Sequence, residues 1–385
     1  MAKINKNIIF LGIVSLLTDI SSEMIFPILP VFLDHFLKAT KFEIGIIEGT
    51  AQLVASFLKV FSGHLSDRVG KKKPIIVAGY LLSTVSKPFL YFAAGWKDVL
   101  LLRVIERTGK GIRTAPRDAL ISAYTTQEKS GRAFGIHRGM DTLGAVLGSL
   151  SAFVIILFLG ETESSFRLIF LISFFPAFLA VIVLLFFVKE KPFHSVKKRS
   201  FRLKDLPVSY YWFLFFQGIF MLFSMNYAFM ILKSSNVGVS LGYIPVVYIL
   251  FNVVYAVFSY PFGLWADRFG KVETLTAVYL IFSITAFVFT LDTPVAGWIG
   301  FVLYGIFMAG YEVITRALIS DIVSPQLKGT AYGMFHTLSG ITVFLSVVIA
   351  GFLWDRFGAD VPFYLSSAGS LIISMIIYIK LKDKL

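Results

Sequence analysis

Twelve runs of about twenty mostly apolar residues follow one another along the chain, each bounded by short polar segments. That is the length an α-helix needs to cross the ~30 Å hydrocarbon core of a bilayer. The runs begin near Asn7, Phe42, Pro74, Asp98, Gly131, Phe166, Pro207, Leu241, Val272, Pro294, Gly329 and Pro362. They predict an all-α integral membrane protein of twelve transmembrane helices. The longest polar stretch, KEKPFHSVKKRSFRLKDLP, follows the sixth run. It predicts three parts: a six-helix bundle over residues 1–189, a basic cytoplasmic linker over 190–206 and a second six-helix bundle over 207–385. The linker reads either as a solvated connector or as partly an interfacial helix on anionic lipid.

Composition agrees with this pattern. Of 385 residues, 57% are hydrophobic and only 15% charged, against about 25% charged in soluble domains. The chain has no cysteine, so no disulfide can form. MAKINKNIIFLGIVSLL starts basic and continues apolar, as a signal peptide does, but lacks a small-residue cleavage site. It reads as an uncleaved first span.

The net charge of +13 is distributed in a way that excludes nucleic acid as partner. With the N-terminus taken as cytoplasmic, inner loops and tails carry 21 Lys and Arg, outer loops six, and the spans nine. This positive-inside bias places both termini in the cytoplasm and the chain in the cell (inner) membrane, among lipids as partners.

The chain also repeats itself. GHLSDRVGKKK from Gly63 returns as GLWADRFGKVE from Gly263, so that Asp67, Arg68, Gly70 and Lys71 recur as Asp267, Arg268, Gly270 and Lys271. ALIS at Ala119 returns at Ala317, and GRAFGIHRGM at Gly131 returns as GTAYGMFHTL at Gly329. Parallel repeats of this kind relate the halves of transporters that rock about a midplane site. Asp67, Arg68, Gly70, Lys71, Asp267 and Arg268 sit at helix junctions, where carboxylate and guanidinium contacts can close one side and break on opening. They are candidates for a conformational latch, while Lys71–Lys73 also serve as ordinary positive-inside anchors.

On these residues the chain resembles the major facilitator superfamily, whose signature loop between the second and third spans has the pattern Gly-x-x-x-Asp-Arg-x-Gly-Lys/Arg-Lys. TDISSEM and the segment from Arg103 to Gly148 resemble a bacterial and archaeal permease subgroup of unknown substrate, drug-efflux-like, with a magnetosome permease branch beside it. The resemblance implies a secondary active transporter working by alternating access, with the first, fourth, seventh and tenth spans lining a central cavity. The family's fourth-span motif, Arg-x-x-Gln-Gly-x-Gly, reads here Arg103-Val-Ile-Glu106-Arg107-Thr-Gly109, with Glu for Gln and Arg for Gly. The fifth-span antiporter motif ends in Ser149 where the family has Pro. Both motifs are kept only in part, so the resemblance favours antiport without securing it.

The fourth span carries RVIERTGKGIRTAPRDALIS. At about 100° per residue, Arg103, Glu106, Arg107, Lys110, Arg113 and Arg117 fall within an arc of roughly 120°, opposite Val104, Ile105 and Ile112. A loop has no reason to build such a stripe. A phosphate-binding loop fails too, because GKGIRT lacks the full Gly-x-x-x-x-Gly-Lys-Ser/Thr pattern and a preceding strand. A charge at the bilayer centre costs about 3 kcal/mol or more, so this face must meet water or paired acids. The acids expected to answer it lie on neighbouring spans: Asp19, Glu23, Glu48 and Asp141.

Asp19, Glu23, Asp141 and Arg103 are therefore candidates for proton coupling, against the alternative of static ion pairing. Lys110, Arg113, Arg138 and His137 are candidates for substrate contact, as are Asn226, Tyr227, Glu312 and Arg316 in the second half, where Glu312 and Arg316 can pair four residues apart. Gln217, Asn252, Tyr255 and Tyr311 are further polar positions there. Gly131, Gly135, Gly139, Gly144 and Gly148 predict close packing of the fifth span. Cations exceed acids in the N-half spans by two, which points to a small anionic or zwitterionic solute. Transport of iron or another metal complex is the alternative within transport; a lipid scramblase or membrane enzyme is the alternative outside it. No nucleotide-binding, nucleophile–base or metal-spaced motif is present, so the expectation is a monomer with no catalytic residues and no cofactor, exchanging its substrate for protons in the direction of efflux.

Overall fold

The computed structural model describes residues 5–69, 71–125, 130–190, 205–324 and 327–380, without the side chains of 63–69 and 130. The described residues form helices and no strands. The helices of the first half are α1 (Lys6–Ile25), α2 (Leu29–Val31), α3 (Lys41–Val69), α4 (Lys73–Phe89), α5 (Trp96–Ala123), α6 (Ser130–Leu159), α7 (Glu163–Ile172) and α8 (Phe174–Phe186). Those of the second half are α9 (Val208–Phe223), α10 (Tyr227–Asn236), α11 (Ile244–Phe269), α12 (Lys271–Val288), α13 (Pro294–Ile322), α14 (Lys328–Phe357) and α15 (Val361–Lys380).

Among the described residues, eleven segments are long and apolar enough to cross a membrane. The helix missing from that set is α5, which at 28 residues is as long as the others. Its charged stripe alone keeps it out. The twelve expected starts each fall within three residues of an observed helix start. Three spans are composite. Pro27 and Pro30 end α1 and open α2, because proline lacks the N–H a helix interior needs. The sixth span bends at Ser173 between α7 and α8, and the seventh unwinds at Ser224–Asn226 between α9 and α10.

Contacts divide the chain into two compact units: Met1–Ala39 with Thr50–Lys198, and Thr40–Gly49 with Arg199–Leu385. Residues 191–204 of the expected linker lie outside the described residues. Just before them, the Glu190 carboxylate accepts the backbone N–H groups of Lys72 and Lys73 at 3.2 and 2.7 Å, which caps the start of α4. Tyr124 donates to the Lys189 carbonyl at 2.5 Å. Burial, and then the nearby Glu190 charge, push the Tyr124 phenol above its ordinary pKa.

In the first unit α1 packs on α6 and α8, and α4 packs on α5 and α8. Ile8, Leu11, Val14, Ile76, Tyr80, Leu120, Ile121, Ala180 and Leu184 form its core. Lipid tails are as apolar as these side chains, so shape and close approach must hold the helices together. The α1–α6 contact shows how: a Cβ on Gly144 would fall 2.6 Å from the Leu16 carbonyl, and Gly148 lies against Ile20 in the same way. Gly131, Gly135 and Gly139 do not share that role. Nothing lies within 4 Å of a Cβ built on any of them. The expected packing stripe is confined to the two glycines that face α1.

In the second unit α11 and α12 pack on α13, while α9 packs on α14 and α15. The α11–α12 junction explains one residue of the repeat. Gly270 sits at φ +98°, in the region that favours glycine, and Glu273 fills the space a Cβ would need.

Candidate functional site

The α5 stripe is built as its spacing requires, and Phe26 is the surface it rests on. The guanidinium carbons of Arg103 and Arg107 lie 5.1 and 4.5 Å from the Phe26 ring centroid, and Lys110 Nζ lies 5.9 Å from it. Phe26 is placed there because α1 ends at Ile25, just before Pro27. An aromatic face is a good neighbour for buried cations because its quadrupole attracts positive charge without adding an anion. Further along the stripe, Arg113 stacks 4.4 Å from the Tyr80 ring and donates to Ser83 Oγ at 2.5 Å. Arg117 binds Asp118 at 2.9 Å and reaches Ser15 Oγ at 3.4 Å.

Two carboxylates in contact with the stripe's arginines, Glu106 and Asp118, come from α5 itself. Arg103 Nη1 meets Glu106 Oε2 at 2.6 Å, with Arg107 Nε at 3.8 Å from the same oxygen. A helix places i and i+3 on one face, so Glu106 reaches Arg103 with no help from another element. Arg103, Glu106, Arg107 and Arg113 are 1%, 6%, 7% and 5% exposed, whereas Lys110 is exposed. One end of the stripe is thus sealed in protein and its middle is open.

Asp19 and Asp141 meet across the α1–α6 crossing. A Cβ on Gly144 would lie 3.0 Å from Asp19 Cβ, and Asp141 is one turn away on α6. Asp19 interacts electrostatically with Asp141, Lys110, Arg117 and Arg113. Asp141 Oδ2 is 3.4 Å from His137 Nδ1, on a histidine that is buried. Glu23 is half-buried on α1, its carbonyl accepting from Ser149 at 3.3 Å. Arg138, on the same helix, is exposed.

A small pocket lies against the sealed end, lined by Ser22, Ile25, Phe26, Ser86, Lys87, Leu90, Leu102, Arg103 and Glu106. It has room for the centre of one water molecule, about 10 Å³. Lys87 is the residue that sequence reasoning counted as a charge and passed over. It is 1% exposed and donates to Ser21 Oγ at 2.5 Å and Ser22 Oγ at 3.1 Å. Its position inside a span was the signal that could have found it. Phe26 gave no such signal among 41 phenylalanines.

In the second unit, Asn226 caps α10 by accepting from Ala228 N at 2.9 Å. That is a structural use for a residue expected at the substrate. Tyr227 donates to Glu48 at 3.2 Å. Glu312 pairs with Arg316 at 2.9 Å and accepts from Tyr255 at 3.0 Å. Gln217 donates to Tyr311 at 2.5 Å and accepts from Tyr279, whose ring stacks on Phe220 at 3.6 Å. Asp267 and Arg268 are exposed at the end of α11, and Lys71 is exposed before α4. The side chains of Asp67 and Arg68, and Gly70 altogether, lie outside the described residues. Among the described residues no group of three acids, histidines or cysteines could hold a metal ion.

The sequence profile of the Major Facilitator Superfamily matches residues 11–250 and 212–384. An uncharacterized MFS-type transporter of Methanocaldococcus jannaschii, MJ1317, is 37% identical over 384 residues, covering 97% of this chain and 95% of that one. Multidrug resistance protein MdtH of Photorhabdus laumondii is 30% identical over 141 residues, 37% of this chain and 35% of that one. Among solved structures, a mutant of the nucleoside transporter NupG superposes with a TM-score of 0.83 at 14% identity, covering 97% of this chain and 99% of the other. At that identity the likeness is one of fold.

Proposed function

This chain belongs to the major facilitator superfamily and is a multi-pass membrane transporter, not an enzyme; from that premise we propose that it moves a small anionic or zwitterionic organic solute in exchange for protons, in the direction of efflux. The observation that carries the substrate class is the ring of Phe26, with Arg103, Arg107 and Lys110 gathered on it and Glu106 beside the two arginines. Buried cations in excess of acids favour a ligand that brings negative charge. Lys110 is the exposed member and offers first contact. Arg113 lies one turn further and is oriented by Ser83.

The same unit supports proton exchange. Asp19 is placed between a like charge, Asp141, and the cations of α5. A carboxylate whose balance of neighbours changes with conformation takes up a proton in one state and gives it back in the other. Arginine cannot carry that proton, but it sets the affinity of the carboxylate that does. His137 beside Asp141 is a second carrier. The partial likeness to a multidrug resistance protein supports efflux as the direction. Asp67 and Asp267, at equivalent junctions of the two halves, act in this reading as latches of alternating access. The protein works as a monomer in the cell membrane, with both termini in the cytoplasm.

The test is a thermal-shift screen of anionic, zwitterionic and cationic solutes, since a ligand stabilises the state it binds. Hits are then assayed in proteoliposomes under an imposed pH gradient. Stabilisation by anionic or zwitterionic solutes, with gradient-driven flux, is expected. Stabilisation by cationic solutes alone overturns the substrate class. Flux indifferent to the gradient overturns the coupling.

A further inference from the structure

We propose that Asp355 fastens a latch between the start of α3 and the end of α14, and that the membrane face away from the chain termini opens when this fastening lets go. The motif behind it occurs a third time in the chain. Gly351-Phe-Leu-Trp-Asp355-Arg356-Phe-Gly358 repeats the spacing of Gly263-Leu-Trp-Ala-Asp267-Arg268-Phe-Gly270. The local structure repeats with it. Gly270 and Gly358 both take positive φ, +98° and +101°, and each donates its N–H to the carbonyl four residues back, at 3.1 and 2.9 Å. The motif is thus a helix ending that carries an aspartate one turn before its glycine.

The copies differ in where they lie. By the order of the spans, α3 and α11 end on the side of the termini, and α14 ends on the opposite side. There Asp355 Oδ1 accepts the Lys41 N–H at 3.1 Å and Oδ2 accepts the Phe42 N–H at 2.8 Å. Both oxygens serve N–H groups that the first turn of α3 cannot pair within its own helix. Below this cap the two backbones meet with no side chain between them. A Cβ on Gly45 would lie 2.5 Å from the Val347 carbonyl, one on Gly49 would lie 2.9 Å from Val347 Cγ2, and one on Gly351 would collide with the Lys41 carbonyl. Lys41 Nζ lies 5.8 Å from the Trp354 ring centroid. The end of α14 is itself held. Lys233 of α10, 2% exposed, binds Asp292 and Asp360 at 2.9 and 2.6 Å, which ties the loop after α14 to the loop before α13.

The helix α3 belongs to both compact units. Its residues up to Gly49 pack in the second, and those from Thr50 pack in the first. It runs as one helix from Lys41 to Val69, with no proline to bend it. A transporter that alternates access moves its units, so the start of α3 has to give up its place on α14. The contact suits repeated opening. A glycine seam holds by close approach and strands no large side chain when it parts. Its polar fastening is an exposed carboxylate, which water solvates as soon as it leaves. A buried ion pair in that place would be costly to break.

The proposal rests on the reading of alternating access, and its test uses no solute. Val347→Cys, at a seam position 1% exposed, is the reporter in this cysteine-free chain. The reagent is a water-soluble maleimide, with the full chain in detergent. Slow labelling is expected in the otherwise native protein, and labelling about fivefold faster or more once Asp355→Ala is added, the factor that loss of a typical helix cap gives. Ala331→Cys, 0% exposed near the other end of α14, should stay slow in both backgrounds. Equal rates at Val347→Cys with and without Asp355 overturn the proposal. So does an equal rise at Ala331→Cys, because the variant then loosens α14 as a whole. Should Asp355→Ala not be recovered folded, Gly45→Ala takes its place; it keeps the carboxylate and wedges α3 away from Val347. No acceleration at Val347→Cys there overturns the proposal as well. A failed solute screen or flux indifferent to the pH gradient removes the substrate class or the coupling and keeps the latch. Unchanged labelling removes the latch alone.

Discussion

Arg103 and Glu106 meet at 2.6 Å, one helical turn apart on α5, with 1% and 6% of their surfaces exposed. Such a pair is costly to break from one side, because the partner left behind is an uncompensated buried charge. Arg103→Met is therefore expected to destabilise the protein by about 3–5 kcal/mol. Arg103→Met combined with Glu106→Met removes both charges and should recover a large part of that loss. Thermal unfolding of the single and double variants measures the coupling; a double variant as unstable as the sum of the two singles contradicts a direct pair.

The Phe26 ring serves three cations at once, so its quadrupole matters more than its bulk. Phe26→Leu is expected to cost about 1–2 kcal/mol through lost cation–π contact as well as packing, while Phe26→Tyr keeps the aromatic face. A loss of equal size in both variants would mean that the cations are held without the ring.

Much of this arrangement was legible in the sequence, and the limits have physical causes. The helix starts were readable because polar and basic residues bracket each apolar run. The charged face of α5 was readable because 100° per residue is a property of the backbone. Glu106 lies within that same arc at i,i+3 from Arg103, while Asp19 acts on the stripe from a neighbouring span. The breaks at Ser173 and Ser224–Asn226 carry no proline at the break itself. The capping role of Asn226 at the start of α10 is therefore not readable from the sequence. Three glycines of α6 looked like the two that touch α1, because a sequence shows spacing but not which side meets a neighbour. The approach of Lys87 to Ser21 and Ser22 depends on how α4 lies against α1, which no local pattern encodes.

That difference among glycines is testable. Gly144→Val sets branched carbon against the Leu16 carbonyl and is expected to push α1 and α6 apart, with a loss of about 2 kcal/mol or more. Gly135→Ala and Gly139→Ala meet open space and should stay within about 0.5 kcal/mol of the parent, or gain from better helix propensity. Equal losses at all three positions would place α6 in a different rotation.

The coupling reading separates carboxylates by role. Asp19→Asn and Asp141→Asn are expected to abolish the dependence of solute flux on an imposed pH gradient in proteoliposomes, while solute exchange at equal pH continues. Glu312→Gln, whose carboxylate pairs with Arg316 in the second unit, should leave gradient dependence intact. Normal coupling in both aspartate variants would assign the proton elsewhere, with His137 the next group to replace.

The charged stripe makes a last prediction about where water reaches. Exposure in the structure has two meanings in a membrane protein. Leu143, at mid-length of α6, is 51% exposed and apolar; such a side chain faces lipid. Lys110 is exposed and charged, and a charge at that depth is tolerated only where water or counter-charge meets it. Because the chain has no cysteine of its own, single cysteines report these sites cleanly. Lys110→Cys should react rapidly with a water-soluble, membrane-impermeant maleimide in solubilised-and-reconstituted protein opened on its accessible side. Leu143→Cys should resist that reagent, since a thiol in hydrocarbon does not ionise, and the thiolate is the reactive form. Arg107→Cys, starting from a position 7% exposed, should react slowly. Fast labelling of Leu143→Cys would take α6 out of the bilayer, and slow labelling of Lys110→Cys would mean that the open member of the stripe has its face turned to lipid.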